Sequence, residues 1–175
     1  MLTAMLIAAA STALAAQSSS GTLNVLLQNG SGLQMVLNSD SSGVTLGNAG
    51  TSSATLGFGT VGAYGTLANN VTRTNQSNSF TVSTFFDVDV TESGLSSTSY
   101  TLSASLASTA PTGLTVQIDS VTLSTTSATI STSGSYGTNV RHTLSVVVST
   151  ASSGSGGPTT GTQLSSTINL VATSN

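Results

Sequence analysis

Apolar residues along this chain recur at every second position far more often than at helical spacing. The stretch Ser79 to Glu92, SFTVSTFFDVDVTE, shows this most fully. Phe80, Val82, Thr84, Phe86, Val88 and Val90 share one parity, and Thr81, Ser83, Phe85, Asp87, Asp89 and Thr91 share the other. Successive side chains of a strand point to opposite faces, so the pattern predicts one long strand with an apolar face and a mostly polar face. The stretch holds three of the four phenylalanines and three of the five acidic residues, and it is the natural anchor of a core.

The same period predicts the other strands. Leu23, Val25 and Leu27 alternate before the turn dipeptide Asn29-Gly30, and Leu33, Met35 and Leu37 alternate after it. That pair reads as a hairpin or as a first strand that pairs with another subunit, since both demand the same side-chain pattern. Ser39 to Ser53 reads as a loop holding a short Val44-Thr45-Leu46 strand. Ala54 to Val61 reads as a glycine-interrupted strand with Leu56 and Phe58 on one face, and Gly62 to Ser79 as a loop. Strands follow at Tyr100 to Leu106 and Leu114 to Ile118. A parity switch at Asp119-Ser120 calls for a bulge or tight turn before Val121 and Leu123. Ala128 to Ile130 is a short strand, Val140 to Thr150 a long one, and Leu164 to Ala172 the last. About eight to ten short strands with turn signals between them predict an all-β, immunoglobulin-like (Greek-key) β-sandwich.

The N-terminus departs from this pattern. Met1 to Ala16, MLTAMLIAAASTALAA, is apolar and then small, and Ala13-Leu14-Ala15 fits a secretory cleavage site. The expected organisation is a signal peptide over 1–16, an N-terminal strand over 17–29 and a sandwich over 30–175. The leader is shorter than the roughly 20 residues a spanning helix needs, so no membrane insertion of the mature chain is expected.

Composition narrows the class. Of 175 residues only 4% are charged, the net charge is -3, and there is no Cys or Trp. Ser and Thr exceed a third of the chain. Two basic residues, Arg73 and Arg141, are too few to displace phosphate counterions, so no nucleic-acid partner is expected. A nearly uncharged Ser/Thr surface offers little repulsion between copies. An exported domain without disulfides draws its stability from strand pairing, packing or neighbours.

Candidate chemistry is sparse. His142 is the single histidine. Its parity places it on the core side of a strand, near the end and partly exposed, with no G-x-S-x-G elbow to supply a nucleophile. Asp87 and Asp89 lie on one strand face and are the candidates weighed for calcium, but D-V-D lacks the ligand spacing of an EF-hand loop. They read as a solvated face that discourages wrong edge pairing. No catalytic residue, metal or cofactor is expected. Sequons at Asn29, Asn70 and Asn75 matter only if the source glycosylates its surface proteins.

Leu56-Gly57-Phe58-Gly59-Thr60-Val61 resembles the L-x-F-G-x strand start of secreted pilin-like sandwiches, including spore coat protein U and chaperone–usher fimbrial subunits. The order after it is similar: a long alternating strand, a Y-T-L-S-A-S-L strand and a closing strand over Thr167 to Thr173. The resemblance implies an incomplete sandwich completed by a strand from the next subunit. The donor would be Gln17 to Asn29, with Leu23, Val25 and Leu27 as interface residues filling pockets. It implies a homopolymer, a secretion chaperone as a further partner, and an extracellular or cell-surface location. The alternative is a cell-surface adhesin that reads glycans through polar loop tips. An outer-membrane barrel would need aromatic girdles that a chain with 4% aromatic residues lacks.

Overall fold

The computed structural model describes residues 31–150 and 163–175. The expected signal peptide over 1–16 and the candidate donor residues Leu23, Val25 and Leu27 lie outside the described residues. Nine strands are described: β1 Gly32–Asn38, β2 Thr72–Asn75, β3 Ser79–Ser93, β4 Tyr100–Leu106, β5 Leu114–Ile118, β6 Val121–Thr122, β7 Ala128–Gly134, β8 Val140–Ser149 and β9 Ile168–Ser174. They form two packed antiparallel sheets, a β-sandwich. One has the order β1-β3-β8-β5-β6, with β2 also on β3, and the other has the order β7-β4-β9.

The alternation predicted for β3 is realised along its length. Phe80, Val82, Thr84, Phe86, Val88 and Val90 are all buried, while the residues between them are partly exposed. Across the sandwich Tyr100, Leu102, Ala104 and Leu106 of β4 face them, also buried. The parity switch after Ile118 is a two-residue turn, not a bulge. Ile118 pairs with Val121, and Asp119 and Ser120 both take left-handed backbone (φ 48° and 70°), as a type I′ hairpin requires.

The three-stranded sheet is too narrow to cover the six-stranded one. The remainder is covered by the excursion 39–71, whose Val44, Leu56, Phe58, Val61 and Leu67 pack on Phe80, Val82 and Val148. This corrects two expectations. No strand forms over 44–46 or 54–61; Gly47 and Thr55 make a single bridge, and Leu56 and Phe58 serve as a packed cover. Conversely, the loop expected over 62–79 contains β2. The last strand runs to Ser174 and starts at Ile168, and β7 extends through the expected Ser131 turn to Gly134.

The excursion must pass from one face of the sheet to the other. It does so between β1, which ends opposite Asp87, and β2, which begins opposite Ser83. Gly43 sits at that crossing, where a Cβ would overlap the carbonyl oxygen of Phe85. Thr84 holds the crossing strands together. Its hydroxyl accepts from Val44 N–H (3.0 Å) and donates to the Asn70 carbonyl (2.8 Å), and Asn70 Nδ2 donates to the Gly43 carbonyl (2.8 Å). A polar residue on an apolar face is thereby fully paired.

Candidate functional site

Two sheet edges lie together on one side of the sandwich. β1 is an edge of the large sheet, β9 is an edge of the small one, and the two approach each other across the layers. Their core-facing residues, Leu33, Met35 and Leu37 on β1 and Ile168, Leu170 and Ala172 on β9, are only partly buried, unlike their fully covered neighbours on β3 and β4.

The hydrogen-bonding pattern shows which main-chain groups face outward there. In an antiparallel pair, residues alternate between bonding the partner strand and pointing away from it. Asn175 N–H donates to Ser99 O and Ala107 N–H to Thr167 O, both in register with the β4–β9 ladder. The odd residues of β9 therefore bond β4, and Ile168, Leu170 and Ala172 turn their N–H and C=O groups outward. On β1, Leu37 exchanges bonds with Thr51 and Gly50 (2.8 Å each), so Leu33 and Met35 also point outward. Among the described residues these outward groups have no partner. The residues with free main-chain groups are thus the residues whose side chains line the half-open core.

The charged groups are concentrated elsewhere, around neighbouring residues of β8. Arg141 faces the outer side of the large sheet. Its Nε lies 2.6 Å from Asp40 Oδ2, and its guanidinium lies 5.1 Å from the centre of the Phe85 ring. Asp40 is buried and also accepts from Ser42 N–H at 2.7 Å. Burial pushes the Asp40 carboxyl up, but the Ser42 amide, the Arg141 guanidinium and a hydrogen bond from Asp87 outweigh it and hold the group below its ordinary range. Asp87 moves the other way, raised by burial, by the Asp40 charge and by donating to Asp40.

Asp87 is thus brought to Asp40 and Arg141, and the guanidinium supplies the positive charge at this carboxylate pair. Asp89 shares the strand face but not the cluster, and its Oδ1 is buried without a partner. Among the described residues no group of three or more acidic or imidazole side chains converges as metal ligands.

His142 faces the core, as its parity predicts, but is 3% exposed where partial exposure was expected. Its Nδ1 lies 2.6 Å from Asp119 Oδ2, and Asp119 Oδ1 accepts from Thr143 N–H at 2.7 Å. The left-handed turn residue is therefore fastened to β8. Nε2 is buried beside Phe86 with no hydrogen-bond partner. No hydroxyl is hydrogen-bonded to it, so the dyad has a carboxylate and an imidazole but no nucleophile in place.

A third feature escaped the sequence. Arg73 on β2 donates to the carbonyls of Gly62 (2.8 Å) and Gly65 (3.0 Å), and Asn75 donates to that of Ala63 (2.8 Å). These bonds clip the loop to the strand and display Tyr64 at 86% exposure. Asn70 and Asn75, two of the sequon asparagines, thus already use their side-chain amides to hold the fold. The scarcity of arginine was the only signal that could have drawn attention to residue 73. Comparison with protein-family models and with curated proteins found no match to this chain.

Proposed function

We propose that this chain is a non-catalytic structural subunit of an extracellular filament or surface coat, exported by its leader and assembled by strand exchange between copies. The observation that carries this reading is the seam between β1 and β9, where free main-chain groups and half-covered apolar side chains occur at the same residues. An extended segment with alternating apolar residues meets both needs at once. The edge supplies hydrogen bonds and the half-open core supplies pockets.

The chain carries such a segment in Gly21 to Asn29, with Leu23, Val25 and Leu27 at two-residue spacing. With 4% charged residues, its copies can approach without much repulsion. We infer an immunoglobulin-like, Greek-key sandwich lacking one strand, since β1-β3-β8-β5 neighbours are not consecutive in the chain. A secretion chaperone would cover the same seam before assembly. Among the described residues no helix is long and apolar enough to cross a membrane.

The test uses the full chain carrying Leu23→Asp, Val25→Asp and Leu27→Asp together. Negative-stain images and light scattering should show filaments or large oligomers for the parent chain and monomers for the variant, with the same circular dichroism. Assembly that survives all three changes would reject strand exchange by this segment.

A second reading, an adhesin module, is favoured by Tyr64 alone. An exposed aromatic on a loop whose main chain is clipped to β2 suits stacking on a sugar ring. Retention of the parent on a glycan array, abolished by Tyr64→Ala, would support it.

A further inference from the structure

The geometry points to β9, not β1, as the edge that accepts the incoming strand, and to residues 17–29 of a second copy as its occupant. This rests on the strand-exchange reading and makes it specific. Sheet edges invite unwanted pairing, and folded proteins blunt them with short strands, charges, bulges or covering loops. Each of the other edges carries one of these devices.

β2 carries Arg73 and is clipped to the loop 62–65. β6 is two residues long. The β7 pairing with β4 breaks register twice, between Tyr100 and Leu102 and between Leu102 and Ser103. β1 is covered at its end by Thr51 and Gly50, which leaves a free run of only Leu33 and Met35.

β9 carries none of them. Its seven residues, INLVATS, hold no charge and no proline, and they keep unbroken register with β4 from Leu106↔Ile168 to Tyr100↔Ser174. Val171, on the outer face, is 54% exposed. An edge this regular and unguarded, in a sandwich whose other edges are blunted, is an edge kept open for a partner.

The partner's chemistry follows from the edge. Ile168, Leu170 and Ala172 present three half-buried side chains at two-residue spacing, each with outward main-chain groups. Leu23, Val25 and Leu27 repeat that number and spacing. Extended, residues 17–29 span about 40 Å, enough to leave their own subunit and cover an edge of about 23 Å. Pairing with the copy's own β1 would meet only the short free run there. Among the described residues only β4 pairs with β9, so a second copy's β9 offers its outer edge along its whole length, and neither segment carries a charge.

The chain has no cysteine, so introduced thiols report without background. Val171 bonds β4 through its main chain, so its side chain would lie opposite an incoming residue at a position close enough for a disulfide. In an antiparallel pairing that sets Val25 opposite Leu170, that residue is Asn24, so Asn24→Cys chains are mixed with Val171→Cys chains, allowed to assemble, and oxidised mildly. Asn24→Cys mixed with Gln34→Cys tests the β1 edge.

The expected result is a disulfide between different chains in the first mixture, in about tenfold higher yield than in the second. Preferential bonding to position 34 would overturn the choice of edge while leaving strand exchange intact. Val171→Cys chains that bond to each other would overturn the choice of occupant in favour of β9–β9 pairing. An Asn24→Cys/Val171→Cys double variant that closes within one chain, when diluted in excess parent, would overturn exchange between copies. A parent chain that stays monomeric would reject the function itself.

Discussion

Thr84 offers a test in which two simple expectations take opposite signs. It sits among Phe80, Val82, Phe86, Val88 and Val90 on the buried face of β3 and is 1% exposed. By pattern alone, Thr84→Val completes an apolar face with an isosteric, strand-favouring residue and should stabilise the chain. The hydrogen bonds predict the reverse. The hydroxyl is the partner of both Val44 N–H and the Asn70 carbonyl, at the point where the excursion crosses the sheet.

Removing it strands two main-chain groups, at about 1–3 kcal/mol each. Burying a methyl in place of a hydroxyl returns about 1 kcal/mol. The net expectation is a loss of about 1–5 kcal/mol. Thr84→Ser is the control, because it keeps the hydroxyl and loses one methyl, at about 1 kcal/mol. Urea denaturation of the monomeric chain should place the valine variant below the serine variant, with a midpoint about 1 M lower than the parent. A valine variant at least as stable as the parent would refute the account of the crossing.

Other outcomes follow from the same structure. Gly43→Ala places a Cβ against the Phe85 carbonyl and should destabilise by about 1–3 kcal/mol in the same assay, because main chain must move. Leu102→Ala, at 0% exposure on β4, should cost about 2–5 kcal/mol in the same titration. Acid titration should separate the two carboxylates that meet at Arg141. Asp40, held below its ordinary value of 3.8 by partners that outweigh its burial, contributes stability above that value which is lost as pH falls through its lowered one; Asp40→Asn should remove that acid-side loss. Asp87 is raised by burial, Asp40 and the bond to it, against Arg141 and His142, so its contribution grows as pH falls; Asp87→Asn should stabilise the chain at neutral pH. Arg73→Ala should leave the denaturation midpoint nearly unchanged but raise amide exchange across 62–65, whose carbonyls it holds.

Much of the sandwich was legible because its strands are half-buried, and a half-buried strand writes its two faces into alternate residues. Phe80 to Val90 and Tyr100 to Leu106 are the clearest instances. The same signal misled at Leu56 and Phe58. Alternation marks which side chains pack, and with Gly57 between them and Gly59 after them these residues pack as a cover without a partner strand. β2 was hidden for the opposite reason. Thr72–Asn75 is exposed apart from the part-buried Arg73, and it pairs with β3 through its backbone and the Thr72 hydroxyl, so nothing apolar marks it.

Of the candidate sites, the face of Asp87 and Asp89 was readable from parity. Their different environments were not, because Asp40 lies about a hundred positions from Arg141 and arrives by the excursion. His142 was placed on the correct face, but its burial depends on Asp119 in a turn that only the fold brings beside it.

The central claim is that β9 is an edge left open for a neighbour. Residue-resolved hydrogen exchange at Ile168, Leu170 and Ala172, compared between native assemblies and dissociated subunits, tests it most directly. Those three amides should exchange quickly in the subunit and become strongly protected in the assembly. Equal and rapid exchange in both states would contradict it.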